Sequence, residues 1–370
     1  MHELPPELIF LILRELKGYK GALEKCSLVC SAWREICIPF LFHDLRLFDS
    51  PSRIRAYRLL MFHAPHLRPH VQKLSLLSPS MVMGEADSKS DEERELLLSL
   101  IEALPKLNTL HSDVYSWTDD WCLRIPRCSS ITALHIWDPY SLTANTPPWL
   151  LKLLRETADT LRSLSLGGLF FQQISLEGVV DRRVALPNPM NALEALRIQT
   201  CYNLPFHPEV ITMPNLQVLE CRKHRQMAFC ESLPASLKTL VVDTAFSGGL
   251  PNSAENVCLV GERMDNASAL RALSSLHSPT EIKHLELFLS RWIQATPDYV
   301  PISSEVLDFV LDLCQNGSLQ EFTVTFSEGD PRESMELDDK LSKLESLGVL
   351  NLRIGFPSQL LPACSHSYYI

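Results

Sequence analysis

The chain has no apolar run approaching the roughly 18 to 20 residues that a membrane-spanning helix needs, and its N-terminus lacks the charged-then-apolar layout of a secretion signal. A membrane or secreted protein is therefore not expected. Glycine is also scarce, at 13 residues against 25 prolines. That balance suits short, stiff connections and leaves little for the glycine-rich loops that wrap nucleotides. Cationic excess is missing too: 34 Lys and Arg stand against 44 Asp and Glu, a net charge of −10. This is the wrong sign for a general polyanion binder. What is plentiful is dispersed hydrophobicity, 46% of residues at a mean hydropathy of +0.02, enough for a large core and too much for a disordered chain.

Eleven cysteines raise the question of a disulfide scaffold, but the chain is long and their spacing irregular. Cys26, Cys30 and Cys37 fall on one helical face, and Cys201, Cys221 and Cys258 lie in or beside short apolar runs. Free cysteines acting as small core hydrophobes in a reducing compartment fit this distribution. The sequons at Asn266 and Asn316 then read as chance matches.

The first 45 or so residues differ from all that follow. Leu4, Leu8, Ile9, Ile12, Leu13 and Leu16 recur at helical spacing, with Pro5 and Pro6 in the first turn. Gly18 and Gly21 close that helix. Leu23, Cys26, Val29, Cys30, Trp33, Ile36, Cys37 and Phe40 continue the period, with Ser31 as a candidate cap dividing the run into helices near 22–30 and 32–40. Three helices in about 40 residues are too few to bury their own apolar stripes without outside support.

Beyond residue 42 the pattern changes to short extended runs of the form Leu-x-x-Leu-x-Leu. Examples are Val71-Leu74-Leu76, Leu161-Leu164-Leu166, Leu193-Leu196-Ile198 and Leu347-Leu350-Leu352, with a weaker instance at Leu107-Leu110. Helical stretches such as 91–104, 149–160 and 303–314 precede some of them. Copies begin from 17 residues apart (237 to 254) to 37 (282 to 319). This resembles an irregular leucine-rich-repeat protein, in which each strand adds its leucines to a shared interior. Cys201 and Leu204 sit where the cysteine-containing class of repeat has them. An ordinary α/β domain is the competing reading, but it does not require one triplet phase throughout.

Leu4-Pro5-Pro6-Glu7-Leu8 and the apolar residues to Leu16 resemble the opening helix of an F-box. Cys26-Ser27-Leu28-Val29-Cys30-Ser31-Ala32-Trp33 resembles the second half of the same motif. Pro39-Phe40-Leu41-Phe42 is similar to the tail common in F-box proteins of mushroom-forming fungi. The expected fold class is α/β: a three-helix F-box over residues 1–45, then, over 46–370, a curved leucine-rich-repeat solenoid with a parallel β-sheet on its concave face.

The resemblance implies a substrate-recognition subunit of an SCF-type ubiquitin ligase, intracellular, cytoplasmic or nuclear. It would dock on a Skp1-like adaptor and through it on cullin and RING subunits. Carried over residue by residue, it assigns adaptor contact to Leu4, Pro5, Leu8, Ile9, Ile12, Leu28, Val29 and Trp33, with Glu7 as a polar rim. For Leu13, Leu16 and Trp33, internal packing competes equally with that role. A leucine-rich-repeat scaffold that takes no part in ubiquitination is the alternative.

Strand alternation turns the positions between the repeat leucines away from the core. Trp137, Arg197, Glu220, Arg222, Asp243, His284, Glu286, Phe288 and Arg353 are the expected target-binding residues, with Trp137 and Phe288 as exposed aromatic anchors. The target is an unknown protein; no nucleic acid or membrane partner is expected. His63, His66 and His70 have suggestive spacing, but Pro65 and Pro69 interrupt any helix that would align them into a metal site. Cys-x-x-Cys, His-Glu-x-x-His, Gly-x-Ser-x-Gly and phosphate-loop motifs are all missing. An enzyme, cofactor or metal is accordingly not expected. The acidic stretches 84–95 and 327–339 read as mobile solvated loops.

Overall fold

The structure is a computed structural model, and it describes residues 4–17, 19–48, 50–76, 91–113, 117, 119–128, 130–137, 148–168, 189–199, 201, 212–222, 234–243, 254–261, 273, 282–289, 302, 304–326 and 339–354. Packing divides the chain into two compact units. One holds Met1–Ser141 with Pro147–Gly168, the other Leu142–Thr146 with Leu169–Ile370.

The first unit begins with helices α1 (Pro6–Glu15), α2 (Lys20–Ser27) and α3 (Ser31–Phe42). Pro6 takes the first helical position, where its missing N–H costs nothing, and Leu8 and Ile9 donate back to the Pro5 carbonyl. Ser31 is the first residue of α3 rather than its cap; Cys30 holds the cap position in extended backbone. Ile9, Leu13, Leu23 and Cys37 form a small core, against which Leu16, Cys26, Trp33, Ile36, Phe40 and Leu41 pack. Helix α3 also packs on strand β1 (Asp44–Arg46) and on a 3-10 helix at Pro65–His70. The expected outside support for the helical block therefore comes, in part, from the rest of its own unit.

Strands β1, β2 (Lys73–Leu76), β3 (Thr109–Asp113), β4 (Ala133–Trp137) and β5 (Ser163–Gly167) pair in parallel in chain order. Leu45, Leu74, Leu110, Leu134 and Leu164 share one register row, the middle leucine of each motif. Among the returns are α4 (Ser50–Arg58), which runs into a π-helical turn (Leu59–His63), then α5 (Asp91–Glu102), α6 (Asp119–Arg124) and α7 (Pro148–Thr157). Helix α5 buries Leu97, Leu98, Leu100 and Ile101. Its first turn carries Asp91, Glu92 and Glu93, so part of the stretch expected as a loop is an acidic helix start favoured by the helix dipole. Arg53 of α4, 3% exposed, donates to the carbonyls of Leu47 and Leu76 and pairs with Glu93 at 3.2 Å.

In the second unit, β6 (Ala195–Gln199), β7 (Val218–Arg222), β8 (Thr239–Asp243), β9 (Asn256–Gly261), β10 (His284–Leu289), β11 (Glu321–Phe326) and β12 (Leu350–Ile354) likewise pair in parallel in chain order. Leu196, Leu219, Leu240, Val257, Leu285, Phe322 and Leu350 form the matching row. Helices α8 (Ser304–Gln315) and α9 (Asp339–Ser346) bury Val306, Leu307, Val310, Leu341 and Leu344. Gly317 and Gly348 end these helices at φ +74 and +68, the left-handed backbone that glycine adopts without strain. The chain then turns directly into β11 and β12.

Successive parallel strands in chain order, with helices in several of the described returns, are the α/β architecture of a leucine-rich-repeat solenoid. Every triplet motif read from the sequence coincides with a strand. Cys201, expected in the cysteine-class position, is buried; Leu204 lies outside the described residues.

Candidate functional site

Two surfaces carry the residues of interest. The first is α1 with the α2–α3 connection. At 100° per residue, Ile9 and Leu13 point to one side of α1, while Leu8, Leu11 and Ile12 point to the other. The structure follows that division: Ile9 and Leu13 are in the core, whereas Leu8, Leu11 and Ile12 are 46%, 44% and 47% exposed. Leu28 and Val29, in the connection, are 77% and 64% exposed. Leu4, Pro5 and Glu7 are exposed beside them.

One expected contact residue is placed differently, and another takes the internal packing that competed equally with its contact role. Ile9 faces inward because it lies 100° from Leu8, and Trp33 is half-buried against the same core. Both hold the helices together. Leu11 was not among the expected contacts, although its spacing of three from Leu8 put the signal in the sequence. Phe10, also 45% exposed, packs against Phe40 in a tilted arrangement with ring centroids 5.3 Å apart.

Around the junction with β1, Lys20 donates to the Asp44 carbonyl and Lys17 lies 3.2 Å from His43. Burial, reinforced by the Lys17 charge, pushes the His43 pKa down. Burial likewise lowers Lys20, against the opposing pull of Asp44.

The second surface is the side of each sheet that faces away from the leucine rows. In the first unit its middle row runs Ser75, His111, His135, Ser165. His111 and His135 are buried, with ring centroids 4.0 Å apart. Burial, helped by Lys73 and Arg46, pushes the His111 pKa down to about 3. Neither histidine was expected to matter. Trp137 is half-buried, its indole lying over Gly167 so closely that any Cβ there would collide with it.

In the second unit several of the expected residues fall into two rows, with His284 in a third row beside Asn256 and Glu321. One is Arg197, Glu220, Val241, Cys258, Glu286, Thr323, Asn351; the other includes Val260, Phe288, Thr325 and Arg353. Arg197 and Arg222 both approach Glu220, at 3.4 and 2.6 Å. Glu286 is buried and accepts a 2.7 Å hydrogen bond from Thr325. His284 lies 3.4 Å from Glu321, and Arg353, exposed, donates to Glu321 at 3.0 Å. The Asn351 hydrogen bond, with help from Thr323 and Arg353, holds Glu321 below the usual carboxylate range. The Asp243 side chain lies outside the described residues.

Phe288 corrects the expectation of an exposed anchor. It is only 4% exposed, clustered with Val241, Cys258 and Val260 on the outward side. Strand alternation fixes a side chain's direction and leaves its burial to its neighbours. Three apolar neighbours on adjacent strands make this patch a second core. Burial, with Glu286 nearby, raises the Cys258 thiol far above its usual pKa.

All described cysteines are free, and no group of three or more metal-ligating side chains occurs among the described residues. His63 and His66 are exposed on either side of Pro65. No helix among the described residues is long and apolar enough to cross a membrane.

The fold and the helical block together point to an interaction protein: a repeat array that follows a small helical block with exposed apolar side chains. Comparison with known families is consistent with that class: residues 1–47 match the F-box-like family. No curated protein matches the chain. Among solved structures, the crystal structure of the TLR13–ssRNA13 complex aligns with 86% of this chain at 14% identity and a TM-score of 0.32. The chain spans 55% of that protein, and similarity at this level says nothing about what the chain binds.

Proposed function

We propose that the protein is the substrate-recognition subunit of an SCF-type ubiquitin ligase, docking on a Skp1-like adaptor through its N-terminal helices and holding a target protein on its repeats. Through the adaptor it would reach cullin and RING subunits, which supply the transfer chemistry, and it would work inside the cell, in cytoplasm or nucleus. The observation that carries the reading is the cluster of outward leucines in an F-box-like segment. Leu4, Leu8, Leu11, Ile12, Leu28 and Val29 are exposed although the block has a core of its own to bury them in. Large apolar side chains held in water at that density favour a helix-on-helix partner, with a few anchors supplying most of the affinity. Glu7, with Pro5, would form the rim.

Co-expression with the adaptor tests the docking. L8D and L28D place charges on side chains that are 46% and 77% exposed, so the fold should survive. Each is expected to lower adaptor recovery at least about tenfold, the penalty of a charge in a desolvated anchor pocket. Recovery equal to that of the unaltered chain would end the docking proposal. Supplying the purified complex with cullin, RING subunit and captured proteins separates receptor from scaffold: transfer to a captured protein supports the former, and its absence the latter.

A further inference from the structure

On the outward side of β6 and β7 the charges of the described side chains do not balance. Arg197 stands opposite Glu220 in the strand register, and its Nε lies 3.4 Å from Glu220 Oε2. Arg222 approaches the same carboxylate from the end of β7, Nε 2.6 Å from Oε1. Among the described residues one carboxylate thus serves two guanidinium groups, although the three side chains are only 9%, 9% and 13% exposed for Arg197, Glu220 and Arg222. Arg197 Nη2 is buried with no hydrogen-bond partner among the described residues. Arg222 Nε has none either, because its contact with Glu220 is misaligned for one.

A guanidinium carries five donors in a planar fork and does not lose its charge. Buried donors left unmatched destabilise the protein until something accepts from them. Glu286 occupies the same row three strands away, at about 14 Å by ordinary strand spacing, and is engaged by Thr325. The apolar patch of Val241, Cys258, Val260 and Phe288 adjoins the cluster and offers no acceptor side chain.

We propose that Arg197, Glu220 and Arg222 form a receptor for a carboxylate, the Asp or Glu side chain of a partner protein, which completes an alternating set of two cations and two anions. Bidentate approach to a planar guanidinium edge is the geometry that carboxylates prefer, and a single negative charge neutralises the site. The inference rests on the outward face being the target-holding surface, and it does not involve adaptor docking.

The test is a titration of the full chain, labelled with 15N-arginine, with acetate at ionic strength held constant by chloride. The Arg197 Nε–H resonance, assigned by its loss in R197K, should shift saturably. R222K, which keeps the charge and loses the fork, should weaken acetate about tenfold, the loss expected for one charge-assisted hydrogen bond. E220Q removes the competing carboxylate and should strengthen acetate, a change in the opposite direction that general loosening of the fold cannot produce. An equal response to chloride alone, or one midpoint for all variants, overturns the proposal. So does a shift that emerges only in D243N, because the chain's own carboxylate would then fill the position. Binding of inorganic phosphate without acetate overturns the assignment to a carboxylate. Acetate binding reports on this cluster and adaptor recovery on the helical block, so either can fail without the other.

Discussion

Lowering the pH should destabilise the first unit through one side chain, His111. Its imidazole is 1% exposed, packed against His135 and pushed by burial to a pKa of about 3, from about 6.5 in an unfolded chain. The folded protein therefore holds this group neutral while the unfolded chain takes up a proton. The contribution to stability is complete above pH 6.5 and is lost progressively as pH falls from 6.5 toward 3. Between pH 7.5 and pH 5 the linkage relation gives a loss of about 2 kcal/mol from this group, rising to a ceiling near 5 kcal/mol below pH 3.

Urea unfolding at the two pH values measures it. Five of the six tryptophans, Trp33, Trp117, Trp121, Trp137 and Trp149, lie in the first unit and one, Trp292, in the second, so tryptophan fluorescence mainly follows the part of the chain that holds His111. Replacing His111 with Phe keeps a ring against His135 and removes the titration. The acid loss of the variant should be smaller than that of the unaltered chain by about 2 kcal/mol, the contributions of groups remote from position 111 being common to both. Equal acid losses in the two proteins would refute the reasoning, whatever the absolute stability of the variant.

Two structural predictions accompany it. G167A drives a methyl group into the Trp137 indole and should cost about 1 to 3 kcal/mol of stability; a blue-shifted or otherwise altered Trp137 emission, absent when W137F is combined with it, locates the effect. R53M leaves the Leu47 and Leu76 carbonyls and Glu93 without their shared donor, and should cost about 3 kcal/mol. An unchanged urea midpoint would show that water replaces the guanidinium without loss.

The repeat strands were legible because a triplet of apolar residues in constant phase leaves a row such as Leu196, Leu219 and Leu240 only one way to reach a shared interior. The three N-terminal helices were legible for the same reason at a different period. Less visible were the parts where periodicity says nothing. Ser31 has the chemistry of a cap, yet the helix begins on it, since Cys30 adopts the extended backbone one residue earlier. Asp91 to Glu95 look like a solvated run until Arg53 and Arg124 are seen to reach Glu93 and Glu95 from other elements. Phe288 reads as an anchor along its own strand, but its burial depends on Val241, Cys258 and Val260, which are remote in sequence. The buried histidine pair and the Arg197–Glu220–Arg222 cluster are likewise cross-strand facts. Leu11 is the one omission that a helical wheel alone would have caught.

Parallel pairing in chain order also bears on synthesis. Within each unit, every strand after the first finds its N-terminal neighbour already made, and none needs a later segment before it can pair. The ribosome delivers the helical block before the strands and then the strands one at a time, each able to add to an edge that already exists. The N-terminal leucines therefore leave the tunnel long before the outward face of the second unit is complete. A partner that captured them at that stage would hold a chain whose outward face was still being made.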